Sequence, residues 1–309
     1  MLLQMEIIKK LKTSHQIRCS KNNHFLCHTM ERKTVIYRQD NWEIVKEIKR
    51  PSYPANIRFF NNDNHLLINS TDGQIYIYDT NNFEKINEFR SRKNFRLIEG
   101  DINITNDNRQ IILPVISEDK AQIGVINIQT GERKLLTNFQ YEDNILEYNQ
   151  YISSEKKHLF TLTFINLKGF YENKLVKVSE PVEESLIEEI YNKRIMIWEK
   201  ALYNPIFEHY ILVNETEIIL LNKEFNKVIN RKSISNGKDI GYFYHVGLSN
   251  DGNYILLTFS KYIFILKYDD LSIVRSEKIP YACFGEFSSD DQHLYIGTWK
   301  EGYILKNNL

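Results

Sequence analysis

A short unit of apolar runs and polar turns, returning at regular intervals, constrains this chain more than any other feature. It is clearest at residues 55–60, an apolar run followed by the turn Asn61-Asn62-Asp63-Asn64 and a second run over 65–69. A turn at Thr71-Asp72-Gly73, a third run over 74–79, a turn at Thr80-Asn81-Asn82 and a fourth run over 84–89 complete it. The runs are rich in Ile, Phe and Tyr and are too short for free-standing helices, so they read as strands. Asn, Asp and Gly tolerate positive φ or bond to their own backbone, so the turns between the runs predict tight antiparallel hairpins.

The unit recurs. Asn250-Asp251-Gly252-Asn253-Tyr254-Ile255-Leu256-Leu257 repeats the first turn and second strand, as do Ser289-Asp290-Asp291-Gln292-His293-Leu294-Tyr295-Ile296 and Asn106-Asp107-Asn108-Arg109-Gln110-Ile111-Ile112-Leu113. The second strands open at positions 24, 65, 110, 158, 209, 254 and 293, a mean spacing of about 45 residues. A period of about 40–45 with four strands per unit is that of a β-propeller blade. The 309 residues, long enough for two ordinary domains, are therefore expected to form one, an all-β, seven-bladed propeller of four antiparallel strands per blade. The last unit lacks a fourth strand, and residues 5–11 precede the first unit as an orphan strand. Pairing them with residues 302–306 closes the ring and removes an unpaired edge. The segment 166–204 is irregular. Leu186, Ile187, Ile190 and Tyr191 have helical spacing, whereas the blade count asks for a fourth strand there and a first strand near Ile195-Met196-Ile197-Trp198; strand is favoured.

Two stretches carry a family resemblance. Asn250-Asp251-Gly252-Asn253-Tyr254-Ile255-Leu256 resembles the turn of WD-repeat and YVTN-type propellers, and Ile75-Tyr76-Ile77-Tyr78-Asp79 resembles their third strand, with Tyr78 in the tryptophan position. The Gly-His dipeptide of the eukaryotic WD repeat is absent, so the resemblance is to a degenerate, bacterial-type member. It implies a propeller and carries no particular activity.

Lys plus Arg and Asp plus Glu both number 40, a formal net charge of zero, which argues against a nucleic-acid partner. No stretch approaches the length of an apolar membrane span, and the N-terminus lacks a basic region followed by an apolar run, so a cytoplasmic protein with no membrane partner is expected. The three cysteines, Cys19, Cys27 and Cys283, fit reduced thiols, with a Cys19–Cys27 bridge left open.

Catalytic signatures are missing: the sequence contains no G-x-S-x-G, no P-loop and no HExxH. Five of the eight histidines, His24, His65, His158, His209 and His293, share one phase of the repeat, but this spreads them over separate blades, so no metal site is expected. His24 and His28 fall on one face of a strand with Cys27 opposite, without an evident third ligand. Paired acids such as Asp290-Asp291 and Asp269-Asp270 sit in turns. No cofactor is expected.

One face gathers the loops joining second to third strands and one blade to the next. The residues expected there are Arg32, Arg50, Tyr53, Arg92, Arg96, Tyr141, Tyr171, Tyr242, Tyr281 and Trp299, types enriched at protein-interface hot spots. Arg90, Arg92, Lys93 and Arg96 form a local basic cluster, either a site for an acidic partner or a solvated loop. The resulting expectation is a monomeric, non-catalytic scaffold binding a protein or peptide through this face. The alternative is a propeller enzyme or small-ligand binder, such as a lactonase-like hydrolase, with its site in the central channel.

Overall fold

The computed structural model describes residues 5–99, 102–118, 120–136, 145–154, 157–165, 171–179, 182, 188–192, 200–224, 226–235 and 237–309. Blade one is built from Ile17–Cys19, Phe25–Met30, Lys33–Arg38 and Ile44–Ile48, and blade two from Pro54–Phe60, His65–Ser70, Ile75–Asp79 and Lys85–Phe89. Blade three has five strands, because its inner strand is split into Arg96–Leu97 and Asn103–Ile104; both pair with Gln110–Ser117, which continues to Lys120–Asn127 and Arg133–Leu135. Blade four comprises Ile145–Ser154, Lys157–Ile165, Tyr171–Ser179 and Glu188–Asn192. Blade five comprises Lys200–Asn204, His209–Val213, Glu217–Asn222 and Val228–Ser233, and blade six Phe243–Leu248, Tyr254–Phe259, Tyr262–Lys267 and Ile273–Lys278. A last sheet joins the two ends of the chain: Ile7–Ser14 and Ala282–Phe287 flank the 14-residue strand His293–Lys306.

This corrects the expectation of seven four-stranded blades. The structure has six blades of four or five strands, and the remaining sheet is three-stranded. The sequence count gave the last unit three strands of its own, completed by residues 5–11, but residues 293–306 form one continuous strand, so that sheet has three strands in all. The opening at His293 is followed by no outer strand of its own before the chain ends, and the strand that flanks it comes from the other end. Ile7 lies opposite Leu305 and Leu11 opposite Gly302. Glu188–Asn192 is a strand, while the strand expected near Ile195-Met196-Ile197-Trp198 lies outside the described residues.

The core is layered between sheets. Leu11, Ile17, Leu26, Phe284, Tyr295 and Ile304 fill the space between the closing sheet and blade one, and Cys27, Ile36, Ile57, Leu66 and Ile68 fill that between blades one and two. Middle strands are covered on both faces, so Leu66-Leu67-Ile68 is apolar without alternation, each residue worth roughly 1.5–3 kcal/mol when buried. Outer strands have one covered face at most. Ile44 is exposed there beside Lys46, and such lysines discourage edge-to-edge association.

The turns between first and second strands are bound to one another. In four of the sheets a Ser or Thr hydroxyl donates to an acid or amide two residues on: Ser20 to Asn22 at 2.7 Å, Thr105 to Asp107 at 2.6 Å, Ser249 to Asp251 at 2.6 Å and Ser288 to Asp290 at 2.5 Å. The same hydroxyls accept the N–H that opens the second strand, from Phe25, Gln110, Tyr254 and His293. The next residue along is left-handed, with φ of 58° at Asn23, 59° at Asn108, 72° at Gly252 and 58° at Asp291. It reaches the neighbouring turn: Asp291 accepts the N–H groups of Asn250 and Asp251, Asn108 that of Asn61, and Asp63, left-handed likewise, that of Asn22. These links run from sheet to sheet around one face. They also correct the repeat phase, because Phe25, not His24, is equivalent to His293.

Candidate partner-binding face

The loops opposite that belt carry the sequence-predicted residues. Tyr53, Tyr242 and Tyr281 each stand directly before an inner strand, where the backbone hands a carbonyl to the end of the second strand. Thr71 N–H donates to Tyr53 O at 3.0 Å, Ser260 N–H to Tyr242 O at 2.8 Å and Trp299 N–H to Tyr281 O at 3.1 Å. Left-handed φ values of 53° at Tyr53 and 64° at Tyr281 help throw their rings outward. Tyr242 is 70% exposed, Trp299 50% and Tyr281 49%.

These last three belong to one patch. Tyr281 N–H donates to Ser260 O at 2.7 Å, and Tyr242 N–H donates to the Ser260 hydroxyl at 3.0 Å. The Trp299 ring lies 4.5 Å from His15 and 6.4 Å from Tyr244, and the Lys300 ammonium sits 4.0 Å above the Tyr281 ring. Tyr244, His15 and Lys300 were not singled out from the sequence. Tyr53 stands apart on blade two. Arg32, Arg50, Arg92 and Arg96 are exposed, on blade one, on the loop into blade two and at the junction of blades two and three. Tyr171 opens a strand of blade four, and Tyr141 lies outside the described residues.

Under this face the inner strands present a polar array. Arg18 of blade one pairs with Glu286 of the closing sheet, and its guanidinium lies 5.0 Å from the Phe284 ring. His245 of blade six bonds through Nδ1 to Gly285 O at 3.0 Å, with Nε2 3.9 Å from Glu286. Burial, then the charges of Lys200 and Arg18, holds its imidazole well below the usual histidine range, so it is neutral. Among the described residues no three His, Cys, Asp or Glu side chains are grouped to hold a metal ion. His24 is exposed in a turn and His28 fully buried, so the two are not brought together. His65 packs on Phe60 and His209 bonds to the Tyr268 hydroxyl at 3.1 Å, each beside its own sheet or the next.

Charge is divided between the two faces. In the described loops joining second to third strands, or one blade to the next, eight Lys and Arg stand against five Asp and Glu. In the described turns of the opposite face, four stand against thirteen. The acids there are partly absorbed by the belt. Burial opposes ionisation of Asp251, but the Ser249 hydroxyl and the N–H groups of Asn253 outweigh it and hold the carboxyl below its ordinary range.

The three cysteines are free. No helix among the described residues is long and apolar enough to cross a membrane.

No protein-family model matches the chain, and no curated protein matches its sequence. Among solved structures it is similar to the β-propeller domain of Myceliophteria thermophila Cps50 (Swd1), with a TM-score of 0.74 at 13% identity, over 98% of this chain and 99% of that one. At that identity the likeness carries the propeller fold alone.

Proposed function

We propose that this propeller is a non-catalytic scaffold that binds another protein or peptide through its basic, aromatic-bearing loop face. The observation that carries the reading is the contiguous exposed patch of Tyr242, Tyr281 and Trp299, tied together through Ser260 by backbone hydrogen bonds. Large amphipathic rings of this kind supply binding area at low entropic cost, and tyrosine, tryptophan and arginine dominate interface hot spots. Arg32, Arg50, Arg92 and Arg96 extend the face toward blades one to three, where they set orientation and association rate. Three free thiols fit action in a reducing compartment.

The test compares partners captured from the native host by the wild-type chain and by an Arg50→Glu, Tyr281→Ala variant of unchanged melting temperature. A partner held by the first and lost by the second is the expected result. Partners retained equally by both overturn the reading.

A further inference from the structure

Among the described residues, the junction of blades two and three holds a group of cations that make no ion pair. The loop that carries them is rigid. Arg92 and Phe95 exchange backbone hydrogen bonds at 3.1 and 3.0 Å, and Leu97 N–H donates to the Ser91 hydroxyl at 3.1 Å. The Phe95 ring is buried against Gly124 of blade three, where an added Cβ would lie 2.5 Å from its Cζ. The guanidinium of Arg133, which comes from the outer strand of blade three, lies 5.3 Å from the centre of that ring.

Arg133 spends one nitrogen on Arg90 O at 2.7 Å. Its Nε and other terminal nitrogen are buried with no hydrogen-bond partner. Among the described residues neither Arg133 nor Arg92, Lys93 or Arg96 makes an ion pair, and Glu88 is taken by Lys85 and Arg90. Burial, then the neighbouring charge of Arg92, weakens the hold of Arg133 on its proton. Unpaired buried donors on a half-buried cation, crowded by a like charge, are costly unless an anion completes them.

We infer that Arg133 and Arg92 form an oxyanion site for the carboxylates of an acidic segment of a partner protein, completed at its edges by Lys93 and Arg96. The guanidinium fork matches a carboxylate in two parallel hydrogen bonds. Peptide is favoured over nucleic acid because the cations are confined to this junction while the whole chain carries no net charge. The inference rests on the loop-face reading and adds the chemistry of what that face takes.

The test measures fluorescence anisotropy of a short fluorescein-labelled glutamate-rich peptide against the full chain, beside a lysine-rich counterpart, inorganic phosphate and a single-stranded oligonucleotide as competitors. Expected is binding of the acidic peptide alone, weakened at least about tenfold by Arg133→Gln and by the exposed Arg92→Glu, and weakened again by raising salt. Equal binding of both peptides, or no loss in Arg92→Glu with an unchanged melting temperature, overturns it. Full displacement by millimolar phosphate would make it a site for the free anion, and tighter binding of the oligonucleotide through Arg92 a nucleic-acid site; either rejects the peptide. A native partner lost on Tyr281→Ala, with no acidic peptide bound, refutes this inference and leaves the loop-face reading standing.

Discussion

Acid should loosen the propeller at its closure, through one histidine. His28 of blade one is fully buried beside Ser14 of the N-terminal strand, with Nδ1 and Oγ 2.5 Å apart. The Ser14 hydroxyl points its proton at Lys12 O, 2.8 Å away, so Nδ1 is the donor and the imidazole is the Nδ1–H tautomer. Nε2 then holds a lone pair with no partner. Burial, and next the charge of Lys33, push the His28 pKa down to about 4 from an unfolded value near 6.5. Above pH 6.5 both folded and unfolded chains are neutral here, and His28 costs nothing. Between pH 6.5 and 4 the unfolded chain takes up the proton first, so stability falls with pH. By pH 4.5 the loss from this residue alone is about 2.5 kcal/mol. The assay is urea denaturation of the wild type and of His28→Asn, whose amide still donates to Ser14 but does not titrate, at pH 7 and pH 4.5. The wild type should lose about 2.5 kcal/mol more than the variant. Equal losses in the two proteins would refute a buried neutral His28.

Further outcomes follow from the same geometry. Deleting residues 1–12 removes most of the strand opposite 301–305 and the buried Leu11, and should lower stability by at least about 3 kcal/mol in urea melts; an unchanged melting temperature contradicts the pairing. Gly285→Ala drives a methyl group to 2.4 Å from the Thr258 hydroxyl, between blade six and the closing sheet, and should cost about 1–3 kcal/mol in the same assay. Burial raises all three thiols, Cys283 to about 12, so iodoacetamide at pH 8 should leave the native chain unlabelled over times that label all three in urea.

The sequence displayed the parts of this fold that repeat locally. Asn250-Asp251-Gly252-Asn253 announces a turn because a left-handed residue and a hydroxyl-capped strand opening are both written in adjacent letters. The partner of Ile7–Ser14 was likewise legible, since a strand without a neighbour at one end matched a vacancy at the other. The count of complete blades was not, because whether the opening at His293 leads to a four-stranded blade depends on pairing across the whole chain. His24 looked in phase with His293 until backbone hydrogen bonds placed Phe25 there. At the candidate face, Tyr53, Tyr242 and Tyr281 were visible as interface-type residues in the loops. Arg133 was not, because its guanidinium joins the loop 90–96 from an outer strand some forty positions away, a proximity that only the packing of Phe95 on Gly124 creates.

The meeting of the two chain ends in one sheet has a practical corollary. Lys306 N–H donates to Glu6 O at 3.0 Å and Asn307 N–H to Gln292 O at 2.9 Å, so the chain runs beside the acidic turns both at Glu6 and at Asn307. A tag attached after Leu309 would emerge on the side of those turns, below the ring. Tethered that way to a sensor surface, every molecule would present its tyrosines and arginines to the solution, a fixed orientation that the fold itself supplies.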